Sequence, residues 1–479
     1  MKITYACNSK LPRLAWCARL GKNADVIEVL HGSWVETGET GFFEGAWDDE
    51  FETFRFDDAQ MAVGSGARLT TDGIVFVAPG HSLEWIQSLR IEDELLISNS
   101  LPFLLMQARD GLDFGHPFYL FDFLNRYRQG LAVHTKTIPT AQQRQVQIHD
   151  GCNLLVNTDL TVQRLEKPHP SPPGNYHEYV QLLQETLNRV SANAQDRQRQ
   201  RHYPPVTTIS TGYDSTAISV LASQSGCREA LTFRQSGDLN QGYLHDSGAH
   251  IAHLLGLNVT EFDREAIQNL PFLTDAEFFI NPLISTDRGF LVFEDHLTSR
   301  LVLTGRNGEN YWTTDQKLIF PLLQEPSARL MSGTTLGEYR LRAGFIHFPV
   351  PFCGAVHAET IFQITMSDDL KPWSIGGEYD RPIARRIIEE AGIPRQLFGQ
   401  VKKGGGNKAR PYRLTNRCEA DFQAFYKSEI QPRFPQPNFD QLESAARYAE
   451  RDYTHRNWNS PNLFVFHWGF ERIKYRYQV

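Results

Sequence analysis

Between residues 206 and 262 short apolar runs alternate with stretches of helical spacing, and no other feature of the chain restricts its fold so strongly. Val206-Thr207-Thr208-Ile209 reads as a buried strand, Ser215–Ser225 as a helix and Ala230-Leu231-Thr232-Phe233 as a second strand. Asp246–Leu255 follows as a helix ended by Gly256, and Asn258–Phe262 as a third strand. Strand and helix alternating at this spacing predict βαβ units, hence a doubly wound parallel sheet covered on both faces. A helix over Tyr176–Ala192 leads into the first strand, and beyond about residue 315 helices dominate, giving a helical tail.

The chain before this region has a different texture. Gly73-Ile74-Val75-Phe76-Val77 and Glu94-Leu95-Leu96-Ile97-Ser98 are β-type runs between turn residues, with a few helices such as one near Phe118–Tyr127. The two textures meet at Lys167-Pro168-His169-Pro170-Ser171-Pro172-Pro173-Gly174-Asn175, a stiff connector unable to sit in a helix or a central strand. We therefore expect an α+β domain over 1–166, a linker over 167–175 and an α/β domain over 176–479. A length of 479 residues agrees with two domains.

Charge and cysteine usage exclude some roles. A net charge of −8 gives no electrostatic reason for nucleic acid to be the partner, and Arg197, Arg199 and Arg201 read as the cationic end of a helix. Six scattered cysteines form no C-x-x-C pair, which argues against a zinc knuckle or disulfide framework and for a reducing, cytoplasmic setting. No run approaches the ~18 apolar residues of a membrane span, and no secretory leader is read at the start. His245, Asp246, His250 and His253 are read as surface groups rather than a metal site. The aromatic C-terminus (Trp458, Phe464, Phe466, Trp468, Phe470) reads as core packing or a homodimer contact.

The first strand runs into Ser210-Thr211-Gly212-Tyr213-Asp214-Ser215 and then a helix. Ligands of open parallel sheets bind at the carboxyl ends of the strands, where this loop lies. Small residues let backbone N–H groups face a phosphate at a helix N-terminus, Ser210, Thr211 and Ser215 add hydroxyls, and Asp214 is placed to hold Mg²⁺. Helix capping alone selects the same residue types, so both readings stand at this point. No G-x-x-x-x-G-K-[ST] is present, so this is not a Walker-type site.

The loop resembles the S-G-G-x-D-S signature of the asparagine synthetase-like branch of the ATP pyrophosphatase (PP-loop) superfamily, with Thr211 in place of the first glycine. Leu231-Thr232-Phe233 is similar to the strand whose backbone meets adenine, and the helix from Asp246 to Gly256 looks like the family's next helix. Leu303-Thr304-Gly305-Arg306-Asn307-Gly308-Glu309-Asn310 resembles the family's S-G-E-G-x-D-E segment, with Glu309 at its second magnesium carboxylate. Tyr379–Arg386 resembles a later family helix; its Ile383, Ala384, Ile387, Ile388 and Ala391 form a buried stripe, so the helix itself is structural. Val401-Lys402-Lys403-Gly404-Gly405 resembles the loop whose lysine neutralises pyrophosphate.

The resemblance implies ATP on Ser210, Thr211, Gly212, Asp214, Ser215, Leu231, Phe233 and Gly305, Mg²⁺ on Asp214 and Glu309, and catalytic roles for Lys402 and Lys403. It implies a ligase that adenylates a small-molecule or peptide carboxylate, releases pyrophosphate and passes the acyl group to an amine. Amidation with ammonia from a separate glutaminase, and a non-catalytic nucleotide sensor or scaffold, are the alternatives.

Two departures matter. Thr135–Val156 and Ile97–Phe103 resemble parts of a degenerate Ntn-glutaminase-like domain, but an active one needs cysteine directly after Met1, and Lys2 stands there. Arg306 occupies a position where relatives carry a glutamate or tyrosine able to help deprotonate the amine. An arginine cannot act as a base near neutral pH, so Arg306 is expected to hold a carboxylate or phosphate of the substrate. The segment Arg340–Pro349 reads as an acceptor-pocket lining or as surface charge.

Overall fold

A computed structural model describes residues 1–117, 119, 137–236, 245–270, 276–277, 287–315, 336–403, 414–433 and 464–478. The protein is mixed α/β, with two largely antiparallel sheets from the first third of the chain and one parallel sheet from the remainder. The helix expected near Phe118–Tyr127 lies outside the described residues, apart from Tyr119, which is helical.

The seven-stranded sheet has the order β1 (Lys2–Cys7), β3 (Val26–His31), β2 (Trp16–Gly21), β9 (Glu94–Ser98), β8 (Ile86–Ile91), β11 (Gln145–His149), β10 (Thr137–Pro139). Only β1 and β3 run parallel in it. The six-stranded antiparallel sheet has the order β13 (Val162–Glu166), β12 (Cys152–Val156), β7 (Ile74–Val77), β6 (Ala62–Leu69), β5 (Gly41–Trp47), β4 (Glu36–Thr37). Alternation at period two lets each sheet bury one face on the other: Trp16, Ile27, Val29 and Ile97 from the first meet Phe42, Ile74, Phe76 and Leu154 from the second. The outer face of the first sheet is closed by the helix Leu101–Gln107 and by Phe466, Phe470 and Tyr477 of the C-terminal segment. The aromatic C-terminus is therefore core, as far as it is described.

The parallel sheet contains β14 (Pro205–Thr208), β15 (Glu229–Phe233), β16 (Asn258–Phe262), β17 (Leu301–Thr304) and β18 (Ile346–Pro349), in the order β16-β15-β14-β17-β18. All four pairings are parallel. Both faces are buried. Ala230, Leu301, Leu303, Ile346 and Phe348 join the large core beneath Tyr176–Ala194, Tyr213–Gln224 and Pro382–Glu390, while Val206, Leu231 and Val302 pack against Phe290, Leu297 and Tyr339 on the other side. The helix Tyr213–Gln224 is buried over most of its surface, small hydroxyl residues included, because it lies between the sheet and Pro382–Glu390.

The three expected strands are present, and the helices differ at their ends. The helix expected from Ser215 begins at Tyr213, and the one expected from Asp246 begins only at Ala249. Residues 346–349 form the fifth strand, which the reading of the sequence missed. It is an edge strand, which accommodates Pro349 at its end.

One expectation about charge is corrected and another is extended. Arg340 is not a surface charge: it is 3% exposed and sits between the two regions, donating to both Glu44 oxygens at 2.6 and 2.9 Å and, through Nε, to Glu84. Arg199 is likewise buried. Its Nε donates to the Asn193 carbonyl (2.7 Å) at the end of Tyr176–Ala194, as a helix-terminal cation should, but Nη2 also donates to the Gly45 carbonyl of β5 (2.5 Å). Residues 167–175 carry neither helix nor strand up to the N-cap Asn175, in agreement with a connector, yet the regions it joins are locked by buried polar contacts.

Candidate active site

In a sheet of this order the chain winds outward in opposite directions from β14 and β17, so the crevice at their carboxyl ends is the topological switch point. The loops that follow these two strands are Ser210–Gly212 and Gly305–Asn307. They meet closely. A Cβ at Gly305 would lie 2.5 Å from the carbonyl carbon of Asp214, and one at Gly308 2.9 Å from Asp214 Oδ1. Only glycine allows the second loop to close over the first helical turn, which is the physical reason for both glycines.

Gly212 is the N-cap of Tyr213–Gln224 and, being a glycine, brings no capping side chain of its own. The hydroxyls beside it, those of Ser210 and Thr211 before the helix and of Ser215 in its first turn, bond elsewhere. Ser210 Oγ and Ser215 Oγ lie 2.8 Å apart, the Gly212 N–H donates to Ser210 Oγ (3.1 Å), and Thr211 Oγ1 donates to Asp246 Oδ1 (2.6 Å). N-capping therefore does not account for Thr211 or Ser215, and the positive end of the helix lies where the two loops meet.

Oxygen Oδ1 of Asp214 is buried without a hydrogen-bond partner. Burial pushes the carboxyl up to about 7, against the pull of Arg381; Glu309 raises it further and Lys402 lowers it. Glu309 meets Lys402 Nζ at 3.3 Å. Lys403 Nζ donates to Thr211 Oγ1 (2.8 Å) and to the His245 carbonyl (2.7 Å). Thus Ser210, Thr211, Gly212, Asp214, Ser215, Gly305, Glu309, Lys402 and Lys403, drawn from three separate stretches of sequence, converge on one crevice. Gly404 and Gly405 lie outside the described residues.

Three further expected residues are engaged within the chain. Arg306 is paired with the fully buried Asp287 at 2.7 Å and lies over the Phe290 ring, so its charge is matched within the chain. The Leu231 side chain is core, and its carbonyl accepts from Ile209 N–H (3.0 Å). The Phe233 ring stacks on Phe293 (4.4 Å) with Arg264 over it.

Reading the sequence missed four contributors. Asp246 accepts from both the hydroxyl and the N–H of Thr211. Arg381, 1% exposed, donates to Thr313 Oγ1 (3.0 Å) and acts on Asp214. Arg385 donates to the Tyr213 hydroxyl, and the Tyr379 ring packs on Tyr213 at 5.0 Å. The run Tyr379–Arg386 was visible as a motif, but its helical stripe spoke only of packing; the charged positions between the apolar ones gave no sign of where they point. Among the described residues no group of three or more His, Cys, Asp or Glu side chains is placed to hold a metal ion, and the histidines near residue 250 are exposed. No protein-family model and no curated protein matches the chain.

Proposed function

We propose that the protein is an ATP-dependent ligase of the asparagine synthetase-like type, which adenylates a carboxylate and couples it to an amine. The observation that carries this reading is a helix N-terminus capped by a glycine at the switch point of a parallel sheet, with the buried, unpartnered Asp214 oxygen beside Glu309. Such an end favours anions, and a carboxylate oxygen stripped of partners needs a proton or a cation.

The residues fit magnesium in the form it takes on a nucleotide. Asp214 and Glu309 offer hard oxygen ligands in the first turns of the helices that follow two adjoining loops, too few for a protein cage and suited to an ion whose other ligands are phosphates and water. There Mg²⁺ would supply charge neutralisation of the triphosphate. The chain's own part follows from its geometry. The helix end, Ser210 and Ser215 orient the phosphates. The attacking carboxylate reaches the α-phosphorus and pyrophosphate leaves toward Lys402 and Lys403, which stabilise the negative charge as it develops. An amine then displaces AMP from the acyl-adenylate, yielding an amide. Arg306, held by Asp287, shapes the acceptor side and supplies no base.

On this reading the two-sheet region is a glutaminase-like fold without glutaminase chemistry. Lys2 opens the edge strand β1, and the exposed Cys7 closes it. The test is pyrophosphate and AMP production from Mg·ATP against a panel of carboxylic acids, with and without ammonia. Acid-dependent pyrophosphate that disappears in a folded Asp214→Asn variant supports adenylation. ATP binding that Asp214→Asn leaves unchanged overturns it.

A further inference from the structure

Thr211 stands where the resembled family has glycine, and its side chain joins two elements that approach the phosphate loop from opposite sides. A threonine hydroxyl has one proton to give and lone pairs to accept with. Its proton goes to Asp246 Oδ1 at 2.6 Å, because a carboxylate can only accept. A lone pair is thereby turned outward, and Lys403 Nζ donates to it at 2.8 Å. The same ammonium donates to the His245 carbonyl at 2.7 Å, next to Asp246 in sequence. The backbone adds to the link: the Thr211 N–H donates to Asp246 (3.3 Å), and the Thr211 carbonyl accepts from the Gly399 N–H (2.9 Å), four residues before Lys403. Both side-chain bonds are charge-assisted, and a long lysine side chain otherwise loses much rotamer freedom when it is fixed. An ammonium has three donors, so the third is left for an anion at the loop.

We propose that Thr211 is a positioning residue, which relays the charge of Asp246 to hold Lys403 on the rim of the phosphate loop before a triphosphate arrives. The proposal rests on the nucleotide-binding reading above and adds to it an ordered cation, set by the one loop residue that departs from glycine. Glycine or valine at this position leaves the ammonium with the His245 carbonyl alone; serine keeps the relay.

The test is a double-mutant cycle on the full chain, with Mg·ATP affinity measured by titration calorimetry and folding checked by circular dichroism. Thr211→Ser is expected to stay within about twofold of the wild type, while Thr211→Val and Thr211→Gly bind about tenfold more weakly. Thr211→Gly, which adds no bulk, serves where valine disturbs the loop. In a Lys403→Ala background the same changes at Thr211 are expected to cost almost nothing further, because the contact they remove is already gone. Additive losses across the cycle, or a serine variant as weak as glycine, overturn the relay while leaving nucleotide binding intact. Absence of Mg·ATP binding in the wild type overturns the nucleotide reading and the relay together.

Discussion

Replacing Arg340 by methionine tests whether the two regions are held together by charge or by apolar packing alone. The guanidinium is enclosed, with Glu44 bonded to it through both oxygens and Glu84 through Nε. Glu44 also accepts from the Ser65 N–H (3.1 Å) and hydroxyl (2.7 Å) and from Asn99 (3.2 Å), so it cannot swing out to water. Burial pushes the Glu84 carboxyl up, Arg340 pulls it down and Glu44 pushes it up again. Methionine fills the stem of the arginine and removes its charge, stranding two carboxylates against each other. Breaking a buried pair this way costs about 3–5 kcal/mol. At about 2.1 cal/mol/K per residue, cooperative unfolding of the whole chain has an entropy of roughly 1 kcal/mol/K, so Tm falls by about 3–5 °C. Scanning calorimetry at pH 8 and pH 5 measures it. Loss of the arginine removes the pull that offsets burial at Glu84, so that carboxyl rises further, and stability tied to a raised pKa is present at low pH and lost as pH rises. The deficit should therefore be larger at pH 8 than at pH 5. The triple variant Glu44→Gln, Glu84→Gln, Arg340→Met should recover most of it, since no charge is then left unpaired. An equal deficit at both pH values, with no recovery in the triple variant, refutes the electrostatic argument and leaves packing as the cause.

Two other outcomes follow from buried carboxyls. Glu338 accepts from Ser100 (3.0 Å) and Tyr477 (2.7 Å), joining the helices Leu101–Gln107 and Leu336–Ala343 to the C-terminal segment, and burial raises it from 4.5 to about 7. Its contribution is present below about pH 4.5 and lost as pH rises through about 7, so Glu338→Gln should flatten the pH dependence of Tm in that window and leave the variant relatively more stable at pH 8. Asp214 must be ionised to bind a cation, so Mg·ATP affinity should rise between pH 6 and 8 around its value of about 7, with proton release on binding; a pH-independent affinity counts against Asp214 as a ligand.

Some of this was legible in one dimension. The alternation of Val206–Ile209, Ala230–Phe233 and Asn258–Phe262 with helical spacing determined a parallel sheet, since strands buried on both faces must be apolar runs and parallel strands need crossovers. The loop Ser210–Ser215 was visible because its small and polar residues sit at a strand-to-helix junction. Whether they cap or bind was not, because Ser210, Thr211 and Gly212 fit a cap as well as a phosphate site. Tertiary structure spoke to the first of these only, by placing Gly212 at the cap and turning Thr211 to Asp246. Strand order, too, came only from the fold: a pattern of strands says that they pair, not which neighbours they choose, and the switch point exists only once β14 and β17 lie side by side. The same holds for charge. Arg306, Arg340 and Arg381 look alike in sequence, but Asp287, Glu44 and Glu84, and Asp214 reach them from 19 to 296 residues away. Local pattern fixes which elements form because it acts through neighbours in the chain; the partners of a buried charge are fixed by packing, which acts through neighbours in space.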